Sequence, residues 1–143
     1  MLFRSRAAGA VDWQLGGVCD AAPAGSRCVA QSWLVNHGHH LLEDGTFVLF
    51  NNGESDVSHV RAFELNDTPT AFSASLVKDY TGNVPSSTLG DVQRLPGGNT
   101  LVTYSGDGSI VELDPDWNDV QTFTVRVGYS SWRPTLYGPP PRL

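Results

Sequence analysis

An internal repeat limits the folds open to this chain more than any other feature. Leu41-Leu42-Glu43-Asp44-Gly45-Thr46-Phe47-Val48 aligns with Arg94-Leu95-Pro96-Gly97-Gly98-Asn99-Thr100-Leu101 at an offset of 95 − 42 = 53 residues. Phe63-Glu64-Leu65-Asn66-Asp67 aligns with Val111-Glu112-Leu113-Asp114-Pro115 at 112 − 64 = 48, so the second copy is shorter by 53 − 48 = 5 residues, lost in a hairpin. Self-similarity near 50 residues with about four short strands per copy is the period of β-propeller blades. The expected fold is therefore all-β, a partial propeller of about two complete four-stranded antiparallel blades plus edge strands of flanking blades. A free-standing β-sandwich also spaces strands this way, but it has no reason to reuse Leu-x-x-Gly-[Thr/Asn] at the start of alternate hairpins.

Turn formers divide the copies. The first blade, residues 35–80, should hold strands at 35–42, 46–51, 57–65 and 71–79, separated by Glu43-Asp44-Gly45, Asn52-Gly53-Glu54 and Asn66-Asp67-Thr68-Pro69. The second, residues 88–127, should hold 89–95, 99–104, 109–113 and 119–127. Asn52-Gly53 and Asp107-Gly108 are pairs that suit two-residue hairpins, whose central positions take positive φ. Residues 6–34 read as the end of a preceding blade, with Ala10 to Leu15 its outer strand, and an insertion loop. Residues 129–143 read as the inner strand of a following blade, Ser131 to Tyr137, and a Gly-Pro-rich tail. Met1-Leu2-Phe3-Arg4-Ser5 resembles translated sequencing adapter, so residues 1–5 are expected to be a non-native scar and the natural chain to begin upstream.

Composition agrees with short strands and tight turns. Fifteen Gly and nine Pro accompany one Met, and 40% hydrophobic residues in 143 suffice for one core but not two. The formal net charge of −6 leaves no basic stripe, which argues against nucleic acid and anionic lipid. The densest apolar run, Phe47-Val48-Leu49-Phe50, is far short of a membrane span. Cys19 and Cys28 flank a small-residue loop, and two states are open: a disulfide pinning a long insertion, or two thiols. No metal site is expected, because the histidines lack metal-type spacing, and no cofactor is implied. Asp114-Pro115-Asp116-Trp117-Asn118-Asp119 lacks the Gly and distal Glu of a calcium loop and reads as a β-turn.

Several motifs, in order, give the chain a resemblance to the C-terminal part of arylsulfotransferase-like propellers. Those show His-Asp-x-x-x-Leu-Pro-Asp/Asn-Gly inner strands, then an apolar strand ending Phe-Asp-Asn-Gly. Here the first copy reads His37-Gly38-His39-His40-Leu41-Leu42-Glu43-Asp44-Gly45-Thr46, then Phe50-Asn51-Asn52-Gly53. The second reads Gly90-Asp91-Val92-Gln93-Arg94-Leu95-Pro96-Gly97-Gly98-Asn99, and Tyr129 to Gly138 resembles the Tyr-Arg-x-x-x-x-Leu-Tyr-Gly ending. The resemblance implies a six-bladed propeller exported to the periplasm or cell exterior. It implies that a histidine at the channel mouth moves a sulfuryl group from an aryl sulfate to a phenol, the small-molecule partners expected here. Two departures stand out: Gly38 replaces the acidic partner of His37, and Gly90 takes the histidine position of the second copy.

The chemistry suits imidazole, a nucleophile near neutral pH when its other nitrogen is held, and it needs donors for the sulfuryl oxygens. On a regular strand His37 and His39 share one face and His40 the other. They are the candidate catalytic residues, against the reading that they are polar fillers at a wet rim. Arg133 is a candidate sulfuryl clamp or a structural ion pair, and Arg94 a second candidate for substrate binding. Asp91, the other candidate for substrate binding, would orient a histidine of another blade or bond neighbouring backbone N–H groups. His59 reads as surface. The same residues also suit a non-catalytic propeller used as a surface binding or scaffold module, and oligomeric state is not legible.

Overall fold

The computed structural model describes residues 2–5, 11–31, 33, 35–53, 57–82 and 84–124. Among them the chain is all-β, with no α-helix and a single 3-10 turn at Cys19–Ala21. No helix among the described residues is long and apolar enough to cross a membrane.

Each copy of the repeat forms one antiparallel four-stranded meander. The first consists of β4 (Asn36–Leu41), β5 (Thr46–Asn51), β6 (His59–Asp67) and β7 (Phe72–Thr81), hydrogen-bonded in chain order. The second consists of β8 (Asp91–Arg94), β9 (Thr100–Tyr104), β10 (Ser109–Leu113) and β11 (Asp119–Thr124), again in chain order. Upstream, β1 (Leu2–Ser5) pairs antiparallel with β2 (Val11–Leu15), and β3 (Arg27–Val29) lies parallel to β2. Residues 2–5, within the segment read as a scar, form strand β1.

The two meanders are equivalent in their first turn. Leu42 N–H donates to the Thr46 carbonyl at 2.8 Å and Gly45 N–H to Leu42 at 3.0 Å, while Leu95 and Gly98 make the same bonds at 2.8 and 2.9 Å. A third turn repeats the pattern through Asp114 and Trp117, at 2.9 and 3.0 Å. In all three, the fourth residue takes positive φ: Gly45 at 84°, Gly98 at 91° and Trp117 at 70°. A tryptophan there costs about 1–2 kcal/mol of backbone strain. Its ring, 8% exposed, offsets this by joining the core beneath, with Lys78 Nζ 5.6 Å from its centroid.

The expected two-residue hairpins at Asn52-Gly53 and Asp107-Gly108 are longer. Ser109 pairs with Tyr104 and His59 with Asn51, leaving four- and seven-residue loops. In the shorter loop the Tyr104 carbonyl accepts from both Asp107 and Gly108 N–H, and only Gly108 has positive φ, 79°. That is a turn closed by one left-handed glycine, not a pair of left-handed residues.

Alternation gives each sheet two distinct faces. Val48, Phe50, Val60 and Ala62 of the first meander pack with Val92, Val102, Tyr104, Val111 and Leu113 of the second. Phe47, Leu49 and Phe63, on the opposite face, pack with Trp13 and Leu15 of β2. A two-sheet sandwich buries one face of each sheet, whereas here the first meander is covered on both. Trp13 locks the upstream sheet by stacking on Phe72 at 4.5 Å and donating to Asp67 at 3.2 Å. Arg27 pairs with Asp67 at 2.8 Å.

Cys19 and Cys28 form a disulfide, with Cα atoms 5.6 Å apart, closing the loop between β2 and β3. Restricting the unfolded chain this way stabilises the fold by about 2.5 kcal/mol. Cys28→Ser, or reduction of the wild-type chain, is expected to lower the urea midpoint accordingly, and identical oxidised and reduced midpoints would show that the bridge constrains nothing.

Candidate functional site

The first strands of the two meanders, β4 and β8, lie side by side, which brings the histidine segment against Asp91. Two features of β4 make this possible. The first is a bulge: His37 pairs with Phe50 and His40 with Val48, so Gly38 and His39 together oppose a single residue of β5. The bulge reverses alternation. His37 and His40 therefore occupy register positions on the face of Phe50 and Val48, toward the second meander, while His39 lies with its ring 6.3 Å from Phe47 on the other. Shared placement of His37 and His39, expected from a regular strand, is corrected by that extra residue.

The second feature is the absence of a side chain at Gly38, where φ is +52°. A Cβ there would overlap Asp91 Oδ1 and come within 2.6 Å of the Asp91 Cα and 2.7 Å of the Val92 nitrogen. The Asp91 carboxylate of the neighbouring sheet thus occupies the space that the glycine leaves. Asp91 is 1% exposed. Its Oδ1 accepts the Val92 N–H at 3.0 Å and its Oδ2 the Gln93 side-chain amide, donors that a buried carboxylate requires. His40 Nε2 lies 3.8 Å from Oδ1. That separation is too long for a hydrogen bond, and the Nε2 atom, itself buried, has no hydrogen-bond partner. Of the two roles open to it, Asp91 bonds local backbone, and it lies near a histidine of the other sheet without bonding it.

His39 keeps solvent contact, yet partial desolvation, then the like charge of His40, hold its pKa below the usual imidazole value. Neutral His39 has a free nitrogen lone pair at pH 7. His59, away from this group on β6, bonds Asp79 at 2.8 Å at the surface. Arg94 donates to the carbonyl of Gly98 in its own turn at 2.7 Å, and its positive charge is one of the lesser influences lowering the Asp44 pKa, after hydrogen bonds from Thr46. Arg133 lies outside the described residues. No group of three or more metal-ligating side chains occurs among the described residues, and the Asp114 carboxylate accepts N–H groups of Asp116 and Asn118.

Sequence reasoning missed Gln93 and Asn52. Gln93 and His40 are equivalent in the repeat, 93 − 53 = 40, as are Asp91 and Gly38, 91 − 53 = 38. A small residue in one copy facing a polar one in the next was a readable signal of contact between equivalent positions. Asn52 sets where β8 starts: its Nδ2 donates to the Ser86 and Leu89 carbonyls at 2.5 and 2.6 Å, and Ser86 N–H donates to Ser58 Oγ at 2.8 Å. That clamp on the connection delivers Asp91 to Gly38. Gly90 stays a glycine for a steric reason, because a Cβ would overlap the Phe50 ring, with Cζ 2.9 Å away. The chain matches no family model, no curated protein and no solved structure.

Proposed function

We propose that the two meanders are successive blades of a β-propeller, and that the group at their inner strands belongs to a sulfuryl-transfer site working in the periplasm or outside the cell. The contact of Asp91 with the space at Gly38, beside His40, carries this reading. An imidazole faced by a buried carboxylate is a positioned nucleophile whose cationic form is stabilised as it reacts. The imidazole nitrogen lone pair attacks sulfur of an aryl sulfate, the sulfur–oxygen bond breaks, and the phenolate leaves with its electron pair. A phenol then attacks sulfur and the nitrogen–sulfur bond breaks, while its proton passes to a neighbouring imidazole. His37 and His40 share the face required, His39 is available as acid or base, Asp91 is a positioning residue, and Arg133 remains the proposed clamp. The disulfide favours an oxidising compartment.

A second reading, a non-catalytic surface module, draws support from Gly90, whose histidine position is closed by Phe50. Titration of the chain with 4-nitrophenyl sulfate, followed through the histidine ring resonances, separates the two. The sulfuryl-transfer reading expects His37, His39 and His40 to move and surface His59 to stay, with the response weakened in Asp91→Asn. Equal movement of all four, or none, would sink it.

A further inference from the structure

Two equivalent positions of the repeat meet at one buried carboxylate. Gln93 stands in the second copy where His40 stands in the first, 93 − 53 = 40. Asp91 lies between them: its Oδ2 accepts the Gln93 side-chain amide, and its Oδ1 lies 3.8 Å from His40 Nε2. The two neighbours fare differently. Gln93 is bonded, whereas His40 Nε2 is a buried atom with no hydrogen-bond partner. Asp91 and Gln93 are 1% and 3% exposed, so bulk water does not replace either donor. A carboxylate so placed needs the donors it has, and a buried ring nitrogen left unbonded is itself unfavourable.

From this arrangement we infer that Gln93 and His40 compete for the Asp91 carboxylate, and that Gln93 is a positioning residue that holds it off the imidazole until the ring becomes positively charged. The positioning role rests on the sulfuryl-transfer reading above; the competition does not. Of the two donors to Asp91, the Val92 N–H, at 3.0 Å, belongs to β8 and stays where the strand puts it. The Gln93 amide ends a side chain with its own torsions and is the donor that can be exchanged. Closing 3.8 Å to the roughly 2.8 Å of a charge-assisted bond takes a shift of about 1 Å, which the bond from Gln93 to Oδ2 opposes. The same geometry divides the ring. Nε2 is buried and does not reach a substrate, so attack on sulfur falls to Nδ1 of His40, on a side chain 33% exposed, with the ring proton on Nε2. As Nδ1 takes the sulfuryl group the ring gains positive charge, Nε2–H becomes a stronger donor, and the carboxylate turns to it from Gln93. Departure of the group to the phenol reverses the exchange.

The test reads the ring nitrogens of His40 and the side-chain amide of Gln93 by NMR in the full chain, with no sulfate ester present. In the wild type a Gln93 side-chain amide proton is expected to exchange slowly, and His40 Nε2 to show no hydrogen bond. In Gln93→Met the carboxylate turns to His40, so the Nε2–H resonance should move downfield and its exchange with water should slow roughly tenfold. Adding Asp91→Ala should abolish both changes, because no acceptor remains. Gln93→Asn, whose amide is one methylene short of Oδ2, should give the same shift in smaller measure and serves if the Met variant does not fold; the wild-type resonances decide if neither does. A His40 Nε2 already bonded to Asp91 in the wild type would overturn the inference. So would a Gln93 variant that lowers the urea midpoint but leaves the Nε2 resonance unmoved, the behaviour of a purely structural glutamine. The response of the histidines to 4-nitrophenyl sulfate is read separately: partner exchange without any such response would uphold the competition and remove the sulfuryl-transfer chemistry alone.

Discussion

Gly38→Ala is expected to destabilise the chain by about 3 kcal/mol, combining left-handed backbone strain with overpacking. The methyl group would meet the Asp91 side chain, the Asp91 Cα and the Val92 nitrogen at once, and only the first can move away. Since the clash is between sheets, the loss should appear as a lower urea midpoint together with faster amide exchange in β8. Gly97→Ala is the control, because nothing lies within 4 Å of its added Cβ. It should change the midpoint little. Asp91→Gly in the Gly38→Ala background should recover part of the loss, the backbone contacts remaining. If Gly38→Ala behaves like Gly97→Ala, the carboxylate does not occupy the space beside β4 and the site loses its central contact.

How far such a contact is legible in sequence depends on what sets it. Strand existence followed from alternation and turn residues: β5 matches the expected 46–51 and β10 the expected 109–113, because both are flanked by unambiguous turns. The offset between Leu42 and Leu95 yielded two equivalent meanders because their turns impose the same hydrogen bonds. The bulge at Gly38 was not legible. Its extra residue is selected by the approach of β8, a contact far away in sequence, and one unseen residue was enough to exchange the faces assigned to His37, His39 and His40. Parallel β3 was missed for a related reason, since a three-residue strand at Arg27–Val29 has too few residues to show a period. Trp117 falls in the segment read as a β-turn, but its positive φ and its place in the core are tertiary effects that propensity argues against.

Phe50→Ala should be the most damaging single change in the core, costing about 4 kcal/mol, a large share of the roughly 5–15 kcal/mol typical of a domain. Phe50 is fully buried between the meanders, with its ring against Tyr104 edge-to-face at 5.4 Å. Removing it opens a void bordered by Tyr104, whose buried hydroxyl already has no hydrogen-bond partner and whose pKa burial raises well above the normal phenol value. Val77→Ala, at a residue 49% exposed on β7, should cost no more than about 0.5 kcal/mol by the same urea assay. A coupling experiment then isolates the steric argument. Gly90→Ala is destabilising in the wild-type chain because its Cβ meets the Phe50 ring, and it should be milder by about 1 kcal/mol or more once that ring is gone. Strain at φ +128° persists in both backgrounds, so it cancels in the comparison. Strict additivity of the two substitutions would mean that Phe50 does not close position 90, and the steric reason given for a glycine there would fall with it.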